Sequence, residues 1–374
     1  MSQLVAIDMP ANDQFVATLL RIWDRGDAAL PLDQRLTMGL KSEIIQEMKV
    51  STVIGESGEQ RLAAGQPCEP GDALVMCTSG STGAAKGVVL THAAVAASAR
   101  ATSERIGTGH NDHWLACLPL AHIGGLSVIT RAVHLGSKLT VHAAFNAHAV
   151  QEAARNGVTH TSLVATAMAR IDTGLFRSIL LGGARPPAEI PANVITTYGL
   201  TETGSGVVYD GRPLNGVEVH LDHDGEIWIR GAMLLRGYRD GTTPIDSSGW
   251  LHTHDLGHFS DDLLVVDGRQ GDLIISGGEN VWPEAVESIL LRHPDVLDAA
   301  VTGVADAEWG QRIVAWIVPS DVERPPTLDS LRAFVKEQHA GFMAPRTVHM
   351  CAALPRTAIG KLRRGALLAQ HNDA

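Results

Sequence analysis

Ten residues, from Thr78 to Gly87, gather the groups that hold anions: Thr78, Ser79, Gly80, Ser81, Thr82, Gly83 and Lys86. Glycines let backbone N–H groups converge without interference from a Cβ, hydroxyls add donors, and a lysine adds a point charge. That is equipment for a triphosphate. The run differs from a Walker A loop, because Lys86 is followed by Gly87 and is not preceded by glycine. A plain surface turn is the competing reading, and context decides between them. The chain holds six lysines, Lys41, Lys49, Lys86, Lys138, Lys336 and Lys361, and otherwise favours arginine. Lys86 and Lys361 both adjoin glycine, where a compact ammonium serves better than a planar fork.

The elements that must position this loop are readable around it. An apolar run, 73–77, reads as a buried strand before it, and 91–106 reads as a helix after it. The first 70 residues read as mostly helical, on the spacing of Phe15, Val16, Leu19, Leu20 and Trp23 and of Leu40, Ile44, Ile45 and Met48. Short apolar runs at 114–118, 138–141, 161–164, 178–181 and 194–197 then alternate with helical patterns at 123–135, 147–155 and 165–171. Such alternation predicts a parallel sheet covered on both faces. Beyond Tyr198 the pattern becomes that of half-exposed strands (216–221, 226–230, 263–266) with Gly/Asp turns, a small β subdomain at about 206–268. From residue 273 a compact α+β pattern begins, with helices at 283–292 and 328–339. The expected fold is therefore a large N-terminal α/β domain over 1–268, a hinge at 269–272, and a smaller α+β domain over 273–374.

Bulk properties exclude several classes. At 374 residues the chain is long enough for roughly two or three domains. A net charge of −11 argues against a nucleic-acid partner, and the one dense basic cluster, Lys361 to Arg364, is short. Cys68, Cys77, Cys117 and Cys351 show no metal-type spacing and read as buried thiols in a reducing compartment. No basic-apolar leader and no apolar run of membrane length stand in the sequence, so the cytoplasm is the expected location.

Four further motifs follow the glycine loop: Tyr198 to Thr203 (YGLTET), Gly249 to Asp255 (GWLHTHD), Gly268 to Glu287 (GRQGDLIISGGENVWPEAVE) and Pro355 to Arg364 (PRTAIGKLRR). In this order and spacing the series resembles the adenylate-forming superfamily of acyl- and aryl-CoA ligases, peptide-synthetase adenylation domains and luciferases. The resemblance covers nearly all of the chain from about residue 70. Within the superfamily the chain is similar to the o-succinylbenzoate–CoA ligases of menaquinone synthesis. The shortness of the region ahead of the glycine loop and the stretch Leu118 to Gly136 carry that narrower likeness.

The resemblance implies a two-step reaction. A carboxylate attacks the α-phosphate of ATP, giving an acyl-adenylate and pyrophosphate; the thiol of coenzyme A then displaces AMP. It implies that Thr78 to Gly83 and Lys86 wrap the outer phosphates, that Glu202 binds Mg²⁺, and that Thr201 touches the α-phosphate. Tyr198 stacks on adenine with Gly183 and Ala184 near its other face. Asp255 takes the ribose hydroxyls with Arg269 in support, although His254 stands where the family carries glycine. Lys361 drives adenylation and arrives by domain closure; afterwards Gly277 and Gly278 line the coenzyme A tunnel, with Asn280 near its path. The family carries Asp or Lys at the hinge position that Gly271 occupies here, and glycine keeps rotation feasible. His122 and Gly124 belong to the acyl pocket, His122 either gating it or serving as a packed helix-start residue. Arg131 suits the distal carboxylate of a dicarboxylate; the commoner use of such a residue is a surface arginine laying its stem along apolar neighbours.

Three functions fit these residues: an acid–thiol ligase for an aromatic or other carboxylate, an adenylating enzyme that loads a carrier protein, and a nucleotide-binding module without turnover. The intact set of Lys86, Glu202, Asp255, Arg269 and Lys361 argues against the third. A homodimer is a further possible partner.

Overall fold

The structure, a computed structural model, describes residues 2–79, 85–187, 189–356 and 362–372. The chain divides into two compact units, one of Met1–His220 with Trp228–His252, the other of Leu221–Ile227 with Thr253–Ala374.

The first unit is built on two seven-stranded sheets. In spatial order the first runs Gly237–Tyr238, Ala85–Thr91, Asp72–Ser79, Ala28–Pro31, Leu4–Asp8, Thr52–Gly55, Gly58–Arg61. Its centre is parallel and its margins are antiparallel. The N-terminal region thus adds four short strands to its two helices, where helical spacing predicts mostly helix. The helices Asp13–Asp24 and Met38–Glu47 lie where apolar periodicity puts them. The missed strands are four- or five-residue segments, too short for periodicity to separate from helix. Leu4, Ala6, Ala28 and Leu30 are fully buried, as parallel strands covered on both faces must be.

The second sheet runs Arg212–Pro213, Ser205–Tyr209, Val194–Leu200, Ser178–Leu181, His160–Leu163, His113–Ala116, Lys138–Val141. Five of these strands are parallel, and Ser205–Tyr209 turns back antiparallel. That return strand and Gly237–Tyr238 belong to the large sheets and not to a separate subdomain from 206 onward. Two helices, His92–Ile106 and Ile123–Leu135, pack on each other and on the strands beside them. The first starts where Thr91 Oγ1 accepts from Ala94 N at 3.1 Å, and it ends on left-handed Gly107. The second reaches the backbone of Leu118 and Pro119 so closely that a Cβ on Gly125 would lie 2.5 Å from the Pro119 carbonyl.

A four-stranded sheet, Val217–Leu221, Glu226–Gly231, Leu251–Ser260 and Leu263–Arg269, contributes residues to both units. The second unit holds one further sheet, in which Val296–Asp306 and Gly310–Pro319 form a long antiparallel pair. Period-two alternation splits that pair between two cores. Val301, Ile313, Ala315 and Ile317 pack with Val286, Ile289 and Leu331 of the helices Pro283–Leu290 and Leu328–Gln338. Ala300, Val314 and Trp316 pack with Leu367 of the last helix, Arg364–Asn372. The expected hinge, 269–272, is a strand end followed by the tight turn Gln270–Asp272, within the second unit.

Candidate active site

Thr78 and Lys86 face each other across an antiparallel strand pair, and the Thr78 hydroxyl donates to the Lys86 carbonyl at 3.4 Å. The strand Ala85–Thr91 thus intervenes before the helix that sequence reading sets directly after the loop. Gly80, Ser81, Thr82 and Gly83 lie outside the described residues, as does Lys361, and of Ser79 only the backbone is described. Lys86 holds its ammonium 4.9 Å from the centre of the Tyr238 ring. Gly87 permits a crossing that a Cβ would block, since it would lie 2.5 Å from Met48 Sδ.

Other candidates stand just beyond the carboxyl ends of parallel strands, where open α/β sheets bind ligands. Gly183 and Ala184 follow Ser178–Leu181 and are exposed, Gly183 with φ +87°. Tyr198 lies two residues before the end of the neighbouring strand, Val194–Leu200, half-buried, and Thr201–Thr203 form a tight turn straight after that strand. The Thr203 hydroxyl accepts from Leu200 N at 2.8 Å and donates to Ser205 O at 2.6 Å, which fixes that turn. Gly199 is required beside it, because a Cβ there would lie 2.2 Å from the Ser205 carbonyl. Glu202 Oε1 accepts from the Tyr238 hydroxyl at 3.1 Å. Thr201 is half-buried.

His122 occupies the N-cap of the helix Ile123–Leu135, and Gly124, exposed, lies in its first turn. The His122 ring Nε2 lies 3.2 Å from Arg35 Nη2 and 3.4 Å from Asp33 Oδ2. Burial alone would raise the Asp33 pKa, but hydrogen bonds from Arg35 and His122 overcome it and hold the carboxyl far below the usual carboxylate range. Sequence reasoning misses Asp33 and Arg35: Arg35 stands 87 residues from His122 and no motif surrounds either.

Arg131 is 1% exposed, which overturns the surface-arginine alternative. The helix carrying it is covered by its neighbour helix and by the second sheet, so its stem has no route to water. Its guanidinium lies 4.6 Å over the Trp114 ring. Arg131 Nε and Nη1, and Trp114 Nε1, are buried donors with no hydrogen-bond partner among the described residues. Desolvation pulls the Arg131 pKa below the ordinary guanidinium value.

In the second unit Asp255 and Arg269 pair in register on adjacent strands, with Arg269 Nε 3.9 Å from Asp255 Oδ1. His254 explains the glycine preference at its position: its φ is +58°, in the left-handed region. Glu226 holds it there, accepting from His254 N at 2.8 Å. Gly277 and Gly278 make the turn between Ile274–Ser276 and Glu279–Val281, with φ of +63° and +84°. A Cβ on Gly277 would strike the Trp309 ring at 2.9 Å. Asn280 is exposed on the second of those strands. Cys68, Cys77, Cys117 and Cys351 are free thiols. Among the described residues no helix is long and apolar enough to cross a membrane.

The chain belongs to the AMP-binding enzyme family: that domain matches residues 57–239, and the AMP-binding enzyme C-terminal domain matches residues 285–361. A probable 2-succinylbenzoate–CoA ligase of Mycobacterium tuberculosis (strain ATCC 25618 / H37Rv) is 40% identical over 333 residues, covering 82% of this chain and 86% of the relative. The 2-succinylbenzoate–CoA ligase of Bacillus licheniformis is 36% identical over 334 residues, covering 79% and 69% respectively. The solved o-succinylbenzoate CoA synthetase of Bacillus subtilis, in complex with the acyl-adenylate intermediate OSB-AMP, matches with a TM-score of 0.87 at 29% identity, over 98% of this chain and 88% of that one. The same enzyme with ATP and a magnesium ion matches with a TM-score of 0.87, covering 98% and 89%.

Proposed function

We propose that this enzyme is an ATP-dependent, AMP-forming ligase that joins 2-succinylbenzoate to coenzyme A through an acyl-adenylate. The observation that carries the substrate is Arg131. A guanidinium with unmade hydrogen bonds in a dry interior is costly unless an anion meets it, and a dicarboxylate keeps one carboxylate free for that contact while the other reacts. Relatives at 36% and 40% identity named for this acid support the same reading.

The chemistry follows from the residues. Lys86 and the hydroxyls of the glycine loop draw negative charge onto the leaving phosphates, each charge-assisted contact worth about 1.5–3 kcal/mol. Glu202 would hold Mg²⁺, which asks for one or two carboxylates and otherwise phosphate and water oxygens; when bound, the ion offsets charge on those oxygens. Tyr198, with Gly183 and Ala184, would flank the adenine, and Asp255, steadied by Arg269, would accept from the ribose hydroxyls. Thr201 would donate to the α-phosphate. Lys361 would stabilise the charge that builds as carboxylate meets phosphorus, arriving and leaving by movement about 269–272. Gly277 and Gly278 would then border the path of the incoming thiol. His122, oriented by Asp33 and Arg35, would stand at the mouth of the acyl pocket beside Gly124. Four unpaired thiols fit work in the cytoplasm.

The test is pyrophosphate release from ATP across a panel of carboxylic acids, with and without coenzyme A. We expect 2-succinylbenzoate to give the highest rate, with a soluble thioester when coenzyme A is present. A higher rate with a simple monocarboxylate, or acyl transfer to a carrier protein but not to coenzyme A, would replace this reading.

A further inference from the structure

Tyr238 lies outside every motif considered so far, yet it touches two of them. Its hydroxyl donates to Glu202 Oε1 at 3.1 Å, and its ring face lies 4.9 Å from the Lys86 ammonium. Among the described residues no ion pair joins Lys86 to Glu202 directly. We propose that Tyr238 is a positioning residue, a neutral spacer that keeps the phosphate-loop cation and the metal-binding carboxylate from collapsing onto one another before nucleotide arrives. The inference rests on the nucleotide reading above and adds the residue that keeps its two charged groups available.

The backbone around Tyr238 is built to hold it still. Leu235 N donates to the Glu202 carbonyl at 2.7 Å, Arg236 N to Val89 O at 2.9 Å and Arg239 N to Gly87 O at 2.7 Å. This segment laces the Glu202 turn to the strand that carries Lys86. Arg236 clamps one end by a two-point contact with the buried Asp72, at 2.9 and 3.0 Å. Arg239 clamps the other by donating to the carbonyls of Met48 and Pro67, at 3.1 and 2.8 Å, and to that of Gln66. Gly237 precedes Tyr238 because a Cβ there would lie 3.1 Å from the Thr242 carbonyl.

The chemistry of a phenol suits the task. One hydroxyl donor engages one carboxylate oxygen, and the ring face attracts a cation without neutralising it. The hydroxyl holds one Glu202 oxygen and leaves the other for a metal ion, and the ring contact is weak beside a phosphate, so both groups stay available on binding. A direct lysine–glutamate pair at a half-buried place would be harder to break, and each charge would cancel the other's attraction for its ligand.

The experiment measures binding of a non-hydrolysable ATP analogue by calorimetry, once with Mg²⁺ and once with EDTA. Tyr238→Phe keeps the ring and loses the hydroxyl. We expect the affinity gained from Mg²⁺ to shrink about fivefold, with affinity in EDTA unchanged. Tyr238→Leu removes both contacts and should weaken binding in EDTA about tenfold as Glu202 captures Lys86. Adding Glu202→Gln to Tyr238→Leu should then recover the EDTA affinity, a rescue that simple loss of packing cannot produce. A native-like magnesium gain in Tyr238→Phe, or no recovery in the double variant, overturns the spacer. A native protein that gains nothing from Mg²⁺ overturns the nucleotide reading beneath it.

Discussion

Arg131 brings a full charge to a place where water does not reach, over an indole and without acceptors for two of its nitrogens. Such a group serves a ligand better than it serves stability. Arg131→Met keeps the volume and removes the desolvated charge, so the melting temperature should hold or rise. The KM for 2-succinylbenzoate should rise about 10- to 100-fold, as loss of a buried charge-assisted pair implies, while an aryl acid lacking the second carboxylate should be unaffected. Equal effects on both acids, or a large fall in melting temperature, would remove Arg131 as the anchor. The sequence displays a lone charge in an apolar helix, which is why Arg131 is readable as a candidate. Its burial is not readable, because that depends on a second helix folding over it. Asp33 and Arg35 are invisible for a related reason: they reach His122 only through the order of strands, and four-residue strands leave no periodic trace.

At the scale of elements, backbone approach sets the most exacting requirements. Gly125→Ala would drive a methyl to 2.5 Å from the Pro119 carbonyl. A denaturant titration should show a loss of about 1–3 kcal/mol. Gly124→Ala meets nothing within 4 Å and should hold or gain up to about 1 kcal/mol from helix propensity. Equal effects at the two positions would contradict the packing described. In the second unit Arg364 ties the last helix to Glu284 and Glu287 at 2.9 and 2.8 Å and to Asp272, in the turn after the hinge strand, at 3.2 Å. Burial raises the Glu287 pKa to about 7, against the pull of Arg364. A carboxyl raised on folding binds its proton more tightly in the native state than in the unfolded one. It therefore costs stability as pH climbs from about 4.5 to about 7, and no more above that. Glu287→Gln should flatten this fall in melting temperature across the window; an unchanged slope would show that Glu287 is not its source. The helix Pro283–Leu290 is legible from its spacing, and Arg364 is legible only as one more basic residue.

At the scale of the whole molecule, five motifs in order made the family readable and the large parallel sheet predictable, because alternation of apolar strand and helix survives in sequence. The helical reading of the first 70 residues fails where strands are shortest, and the small sheet loses two segments to its larger neighbours: Ser205–Tyr209 folds back on the strand just before it, and Gly237–Tyr238 pairs with Val88 and Val89, far away in the chain. Under the proposed function Lys361 would serve the first chemical step and 269–272 the change between steps. Lys361→Ala should nearly abolish adenylate formation yet spare thioester formation from a supplied acyl-adenylate, as rapid-quench assays of each half-reaction would show. Gly271→Pro should slow the second step about tenfold more than the first. Equal losses in both half-reactions would remove either assignment.

The most direct measurement follows all products of 2-succinylbenzoate, ATP and coenzyme A by mass spectrometry, with the thiol supplied or withheld. Without coenzyme A the account predicts 2-succinylbenzoyl-adenylate and pyrophosphate, halting near one equivalent per enzyme. With it, one AMP should appear for each thioester. Release of ADP and phosphate, or thioester formation with no adenylate on the way, would contradict it.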